Sequence, residues 1–384
     1  MDCTKIGCAF NKKTRTSRWD TGASSLDEAL RGWSVLRKWL VSLLGFIVVL
    51  GCIVWLMLPS APPGLPAAAA DHHLHIQGPA ATAALTRMGS KNVLLRIVSI
   101  VRPSAVKERG GSEALRLLDE AGIRQGELLS EAYLLSTPML KSRDDADLSR
   151  LTREENAFNV EAAAASGGRL VAFVGINPFT AGALEELHFW AGKPGVAGVK
   201  LHLANSGFEP KSPAMVATLA NFVDEARISN MPLVIHVRNA DDYSRVDAEI
   251  FINEVLTHAG DLSVQIAHAG GWGGLDDATL DALRAYRDAI ANNASGTRNL
   301  KFDLAVVVLW PFTNGHRLQT LVALMREIGL DRFLMASDWP ARASPGDYNK
   351  LLEAQLPLTR TEWIQVLGNR AAPLRLGARE LTAN

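Results

Sequence analysis

Short apolar runs rich in Val, Ile, Leu and Phe recur after residue 70 and alternate with longer stretches whose apolar positions fall at helical spacing. A strand buried on both faces reads as such a run, and a helix packed against it carries one apolar stripe. The alternation therefore predicts successive strand and helix units around a parallel sheet. Strands are expected near 70–75, 131–137, 169–175, 197–203, 232–237, 263–268, 300–308 and 333–337. Helical patterns fill SPAMVATLANFVDEARIS (212–229), DDATLDALRAYRDAIANN (276–293) and HRLQTLVALMREIG (316–329). Eight strands over this length fit an α/β chain of the (β/α)8 barrel type with insertions. The run VLLRIVSIV (93–101) falls outside that count and reads as an extra helix or hairpin.

Before the barrel, WLVSLLGFIVVLGCIVWLML (39–58) carries no charge, and the next charged residue is Asp71. Twenty residues at the helical rise span roughly 30 Å, a bilayer's hydrocarbon core, and Trp39 and Trp55 fall near the two ends. One transmembrane helix is expected there. The Ala-rich PAAAAD (66–71) offers a cleaved signal as the rival, but the long leader and long apolar run favour an uncleaved anchor. Residues 1–38 hold eight Lys or Arg against four acids, and no Lys or Arg follows the span for twenty residues. This bias predicts a single-pass inner-membrane protein with a basic cytoplasmic leader (1–38), a Pro/Ala-rich linker (59–70) and an extracytoplasmic, periplasmic barrel domain (71–384).

Composition removes several function classes. Of the 384 residues 48% are hydrophobic and 21% charged, which excludes wholesale disorder. Lys plus Arg and Asp plus Glu each number 40, so there is no electrostatic footprint for a nucleic-acid partner. The cysteines, Cys3, Cys8 and Cys52, all precede residue 59, so the barrel domain can hold neither a disulfide nor a thiolate-bound metal.

The chemistry concentrates where strands end. In ADHHLHIQGP alternate residues share a face, so His73 and His75 project together while His72 and Leu74 point the other way. PLVIHVRN closes the fifth strand with His236, SVQIAHAGGWGG the sixth with His268, and RFLMASDWP the eighth with Asp338. The C-terminal strand ends of a parallel barrel surround one cavity, and imidazoles with a carboxylate suit a borderline divalent cation such as zinc. His202 shares the strand face of Lys200 and is a candidate for substrate contact, and Arg238 is a candidate bidentate clamp for a carboxylate.

Taken together, DHHLH at the first strand, INP (176–178), GVKLH (198–202), IH (235–236), HAGG (268–271), ASDWP (336–340) and GNRAAPLRL (368–376) resemble the amidohydrolase superfamily. The resemblance is to its amidohydrolase-related branch of metal-dependent hydrolases, lactonases and aminocarboxymuconate-semialdehyde-type decarboxylases. It covers most of residues 70–377 and implies a distorted (β/α)8 TIM barrel. It further implies that His73, His75 and His236 bind metal and that Asp338 binds it while assisting proton transfer. His268 is then a general acid/base beside one metal or a ligand of a second. Lys200 is either a carboxylated bridge between two metals or a partner for a substrate carboxylate. One zinc per chain is the favoured count.

The reading that follows is hydrolysis of a lactone, ester or amide of a small molecule by metal-activated water. Nonoxidative decarboxylation of an unsaturated or aromatic carboxylic acid is the same-fold rival. An inactive membrane-tethered binding or scaffold protein is the rival from another class, and no expected ligand is missing to support it. Paired-carboxylate glycoside hydrolysis is disfavoured because no Glu closes any assigned strand. The expected partners are the small substrate and the membrane, with a homo-oligomer left open.

Overall fold

The computed structural model describes residues 39, 42–43, 45–46, 62, 64–91, 107–140, 144–309 and 312–374. Among them are eight strands: β1 (Ala70–Leu74), β2 (Gln125–Leu129), β3 (Leu170–Gly175), β4 (Val196–His202), β5 (Leu233–His236), β6 (Val264–Ile266), β7 (Leu300–Asp303) and β8 (Phe333–Leu334). Each pairs in parallel with the next. The sheet closes through a parallel bridge between Leu74 and Trp339 and through bonds from His72 N–H to Met335 O (3.0 Å) and Asp338 N–H to His73 O (2.8 Å). Register shifts between β1 and β2 and between β3 and β4 make it the distorted barrel that the sequence leads one to expect.

The helices are α1 (Pro79–Lys91), α2 (Gly111–Ala121), α3 (Asp145–Ala164), α4 (Ala183–Trp190), α5 (Pro213–Ile228), α6 (Arg245–Ile250), α7 (Asp277–Ala291), α8 (Gly315–Ile328), α9 (Pro345–Gln355) and α10 (Arg360–Gly368). Their starts follow from local chemistry. Asp144 accepts from Asp147 N–H at α3, Asp276 from Thr279 N–H at α7, and Thr359 with Glu362 forms a reciprocal cap at α10. Pro213 opens α5 with its φ already helical. At α1 the cap comes from outside: the buried Glu155 of α3 accepts from Gly78 N–H (2.8 Å) and Ala81 N–H (2.9 Å).

Alternation along the strands sorts the core into two compartments. Leu74, Leu128, Leu201, Ile235 and Phe302 belong to the large apolar cluster shared with the helices, while Leu129, Phe173 and Val234 form a separate small cluster. Gly198 is obligatory between them, since a Cβ there would lie 2.1 Å from Pro232 O. Polar groups share the enclosed space: Asp71, Glu127, Lys200, Gln265 and Asp303 are all buried.

Two expectations are corrected. The second strand is β2, not 131–137, where Ala132–Ser136 is a short 3₁₀ helix. The consecutive apolar residues Tyr133, Leu134 and Leu135 are buried with Ala84 and Met88. The true strand QGELL was disguised because its buried face carries Gln125 and Glu127. The single-pass inner-membrane placement is overturned as well: among the described residues no helix is long and apolar enough to cross a membrane. Most of 39–58 and all of 93–101 lie outside the described residues.

Glu127 yields a test of the barrel interior. Neither of its oxygens has a partner, and burial pushes its carboxyl well above the usual value of 4.5. The folded chain therefore keeps a proton that the unfolded chain releases, so the stability it contributes is lost as pH rises above about 4.5. Glu127→Gln is expected to raise the urea midpoint at pH 8 and to change it little at pH 4.5. An equal loss at both pH values would contradict this assignment.

Candidate active site

His73 on β1 and His75 directly after it face inward, and the outward His72 is structural. Its Nδ1 donates to Met335 O (2.9 Å), and its Nε2 accepts from Ala371 N–H (3.1 Å). His73 Nδ1 lies 2.9 Å from Asp303 Oδ2, and His75 Nδ1 lies 2.6 Å from Leu129 O. A carbonyl can only accept, so His75 carries its proton on Nδ1, and the carboxylate sets the same tautomer at His73. In the neutral rings, the form that binds a cation, both Nε2 atoms are then lone-pair donors. They lie 3.4 and 3.3 Å from Asp338 Oδ1. These ligand atoms of His73, His75 and Asp338 lie within 4.8 Å of one another.

The backbone that aims these groups is strained. Asp338 (φ 60°), His268 (φ 54°), Ala269 (φ 52°) and the β-branched Val306 (φ 53°) all adopt left-handed conformations near the ends of β6, β7 and β8. Such conformations cost on the order of 1–3 kcal/mol each and persist where surroundings fix them. Burial pushes the Asp338 carboxyl up, but the His75 hydrogen bond and the nearby His73 and His268 outweigh it and hold the group well below the usual range. Burial, then Lys200, holds His73 well below its ordinary value.

Asp303 sits beneath the cluster with each oxygen engaged twice. Oδ2 accepts from His73 Nδ1 and Gln265 Nε2 (2.8 Å), and Oδ1 accepts from the backbone N–H of His268 (2.8 Å) and Ala305 (3.1 Å). It also stands within 4.8 Å ligand distance of His73 and His268, but with its lone pairs so occupied it orients rather than ligates. Asp303 closes β7, and because the apolar run continues to residue 308 the sequence pattern does not mark it as a strand end. The signal available was one acid inside an apolar run, KFDLAVVV.

The remaining candidates surround this cluster. Lys200 is buried with Nζ 3.5 Å from His73 Nε2, and burial brings its pKa down to about 8. The His268 ring is centred 4.9 Å from His73 and 4.9 Å from His236, and its Nδ1 bonds Ala305 O (2.8 Å), leaving Nε2 free. His236 falls outside the tight set with His73, His75 and Asp338. Its Nε2 is nonetheless buried without a partner, and burial followed by His202 holds it well below the usual histidine range. His202 pairs with His236 in register and stacks on it, centroids 4.0 Å apart at 9°. Arg238 departs from its expected place as a clamp. Its guanidinium donates to Asp276 Oδ2 (2.7 Å), Ala240 O (3.3 Å), Asp241 O (3.4 Å) and Thr279 Oγ1 (3.4 Å), which braces the loop after β5.

With β2 at 125–129, Glu131 stands two residues past a strand end, which removes the premise that no Glu does so. Its Oε2 accepts from Gln77 Nε2 (2.9 Å), and its charge acts on His75 and Lys200. A divalent cation fits the donors present. Three imidazoles, His73, His75 and His268, have the other nitrogen already bonded, a fourth, His236, has a buried orphan nitrogen, and a low-pKa carboxylate stands among them.

The sequence family described as Amidohydrolase matches residues 70–373. Among solved structures, the chain is similar to 5-carboxyvanillate decarboxylase from Sphingomonas paucimobilis, at 15% identity and a TM-score of 0.56 over 79% of this chain and 97% of that one. It is similar to 2,6-dihydroxybenzoate decarboxylase complexed with 2,6-dihydroxybenzoate, at 17% and 0.52 over 83% and 99%. It is also similar to a probable 2-pyrone-4,6-dicarboxylic acid hydrolase from Acinetobacter baumannii, at 16% and 0.50 over 82% and 99%. At these identities the likeness is one of fold. Comparison with curated proteins gives no match.

Removing the charge of Asp303 should loosen His73 without touching a ligand atom. Asp303→Asn is expected to weaken divalent-metal affinity by about 10- to 100-fold in a chelator competition. Unchanged affinity in a folded variant would make Asp303 a purely structural acid.

Proposed function

The chain belongs to the amidohydrolase family, and we propose that it is a metal-dependent hydrolase acting on a lactone, ester or amide bond of a small molecule. The observation that carries this reading is the meeting of His73, His75 and Asp338, with each imidazole Nδ1 bonded to the framework and each Nε2 turned to the cluster. These three, with His236 completing the set, would hold one divalent ion, zinc by donor chemistry. When bound, such an ion supplies Lewis acidity and lowers the pKa of water from 15.7 to about 7.

The chain's own residues do the rest. Asp338 accepts a proton at a carboxylate oxygen, and its depressed pKa keeps it ionised to do so. His268 moves a proton at Nε2, because its Nδ1 is committed to Ala305 O. Asp303 keeps the His73 ring aimed, and the Lys200 ammonium offers a buried positive charge to a carboxylate or developing oxyanion. His202, stacked on His236, is a further candidate for substrate contact.

Decarboxylation is the second reading, supported by the same Lys200, a cation suited to hold the carboxylate that would leave. Two of the fold neighbours carry the name of aromatic-acid decarboxylases and one that of a pyrone-dicarboxylate hydrolase. Release of carbon dioxide in a screen of unsaturated acids, against product acid in a screen of lactones and amides, separates the two.

Removal of single groups should separate holding metal from moving protons. His268→Ala is expected to lose about 10²- to 10⁴-fold in kcat with metal content unchanged, while His73→Ala loses both. Lys200→Ala is expected to keep the metal and raise KM about tenfold or more. A fall in metal count from two to one or none in Lys200→Ala would make it a bridge, and full activity in His268→Ala would require another proton carrier.

A further inference from the structure

Trp272 is a large exposed aromatic side chain in the loop after β6. It lies four residues after His268 in HAGGWGG, and its side chain is 44% exposed. Its ring centroid is 6.0 Å from that of His236, with the planes at 83°. The indole thus stands beside the polar cluster with an open surface.

The glycines around it fix the loop. Gly271 N–H bonds His268 O (2.9 Å) and Gly274 N–H bonds Val306 O (2.6 Å). A Cβ on Gly271 would meet Thr279 Oγ1 at 2.8 Å, and one on Gly274, at φ 93°, would meet Leu309 Cδ1 at 2.8 Å. These glycines allow the backbone to approach its neighbours, so the segment is pinned between the loops after β6 and β7. A large ring held in place with nearly half its surface in water forgoes burial that would stabilise the fold. A preorganised aromatic face gains most from a planar partner, and little ordering is lost when that partner stacks.

We propose that Trp272 is a specificity-determining residue: its open indole face receives the planar, π-bonded part of the substrate while the reacting carbon lies at the His73, His75 and Asp338 cluster. The inference rests on the metal-dependent reading above and deepens it by naming the substrate class, a planar unsaturated ring in preference to a saturated one.

Benzoate and cyclohexanecarboxylate share charge and approximate size but differ in the π face, which makes them a suitable pair of probes. Calorimetric titration of the metal-loaded full chain is expected to show benzoate binding about threefold to tenfold tighter, the range of one aromatic pair. Trp272→Leu should bring the ratio to within about twofold with metal content per chain unchanged, and Trp272→Phe should keep most of it. Equal affinities in the native chain, a preference that survives in Trp272→Leu, or no binding of either acid would overturn the proposal. Failure of the metal reading has a different signature: a native chain that takes up no divalent metal yet still prefers benzoate.

Discussion

An imidazole nitrogen can hold a cation only while the ring's proton sits on the other nitrogen, and the barrel commits that proton before any ligand arrives. His75 gives it to Leu129 O, His268 to Ala305 O and His73 to the carboxylate of Asp303. The acceptors belong to the framework, two being main-chain carbonyls and the third a side chain pinned by backbone N–H groups. Ring orientation and the tautomer of each neutral ring are therefore properties of the closed barrel. The proposed chemistry depends on that closure, since β1 and β8 are joined through the same His73 and Asp338 that meet in the site.

This arrangement is costly. Left-handed backbone at Asp338, His268, Ala269 and Val306 adds its cost to that of the buried Lys200 and the partnerless Glu127. The surrounding scaffold offsets it with the large cluster between sheet and helices and with ion pairs joining neighbouring helices, such as Arg245 to Asp288, Arg287 to Glu327 and Arg326 to Glu362. Each exposed pair contributes about 0–1 kcal/mol, so the apolar cluster is the larger support.

The sequence made the barrel legible because most of its strands are continuous apolar runs, and the polar residue closing a run marked His236, His268 and Asp338 as a group. It concealed β2, whose buried face carries Gln125 and Glu127 and so reads as a loop. Misplacing that strand hid Glu131, and extending strand seven hid Asp303. Arg238 shows a different limit: a strand-end arginine announces a carboxylate partner, and only the fold reveals that the partner is Asp276. The apolar run at 39–58 announces a span by hydropathy alone, and most of it lies outside the described residues, among which no helix is long and apolar enough to cross a membrane.

Anomalous diffraction at the zinc edge, from crystals of the full chain grown with one equivalent of zinc, tests the central claim most directly. The account predicts one peak about 2.0–2.2 Å from His73 Nε2, His75 Nε2 and an oxygen of Asp338. A peak held instead by Asp303 and His268, or no peak near β1 from metal-loaded protein, would contradict it.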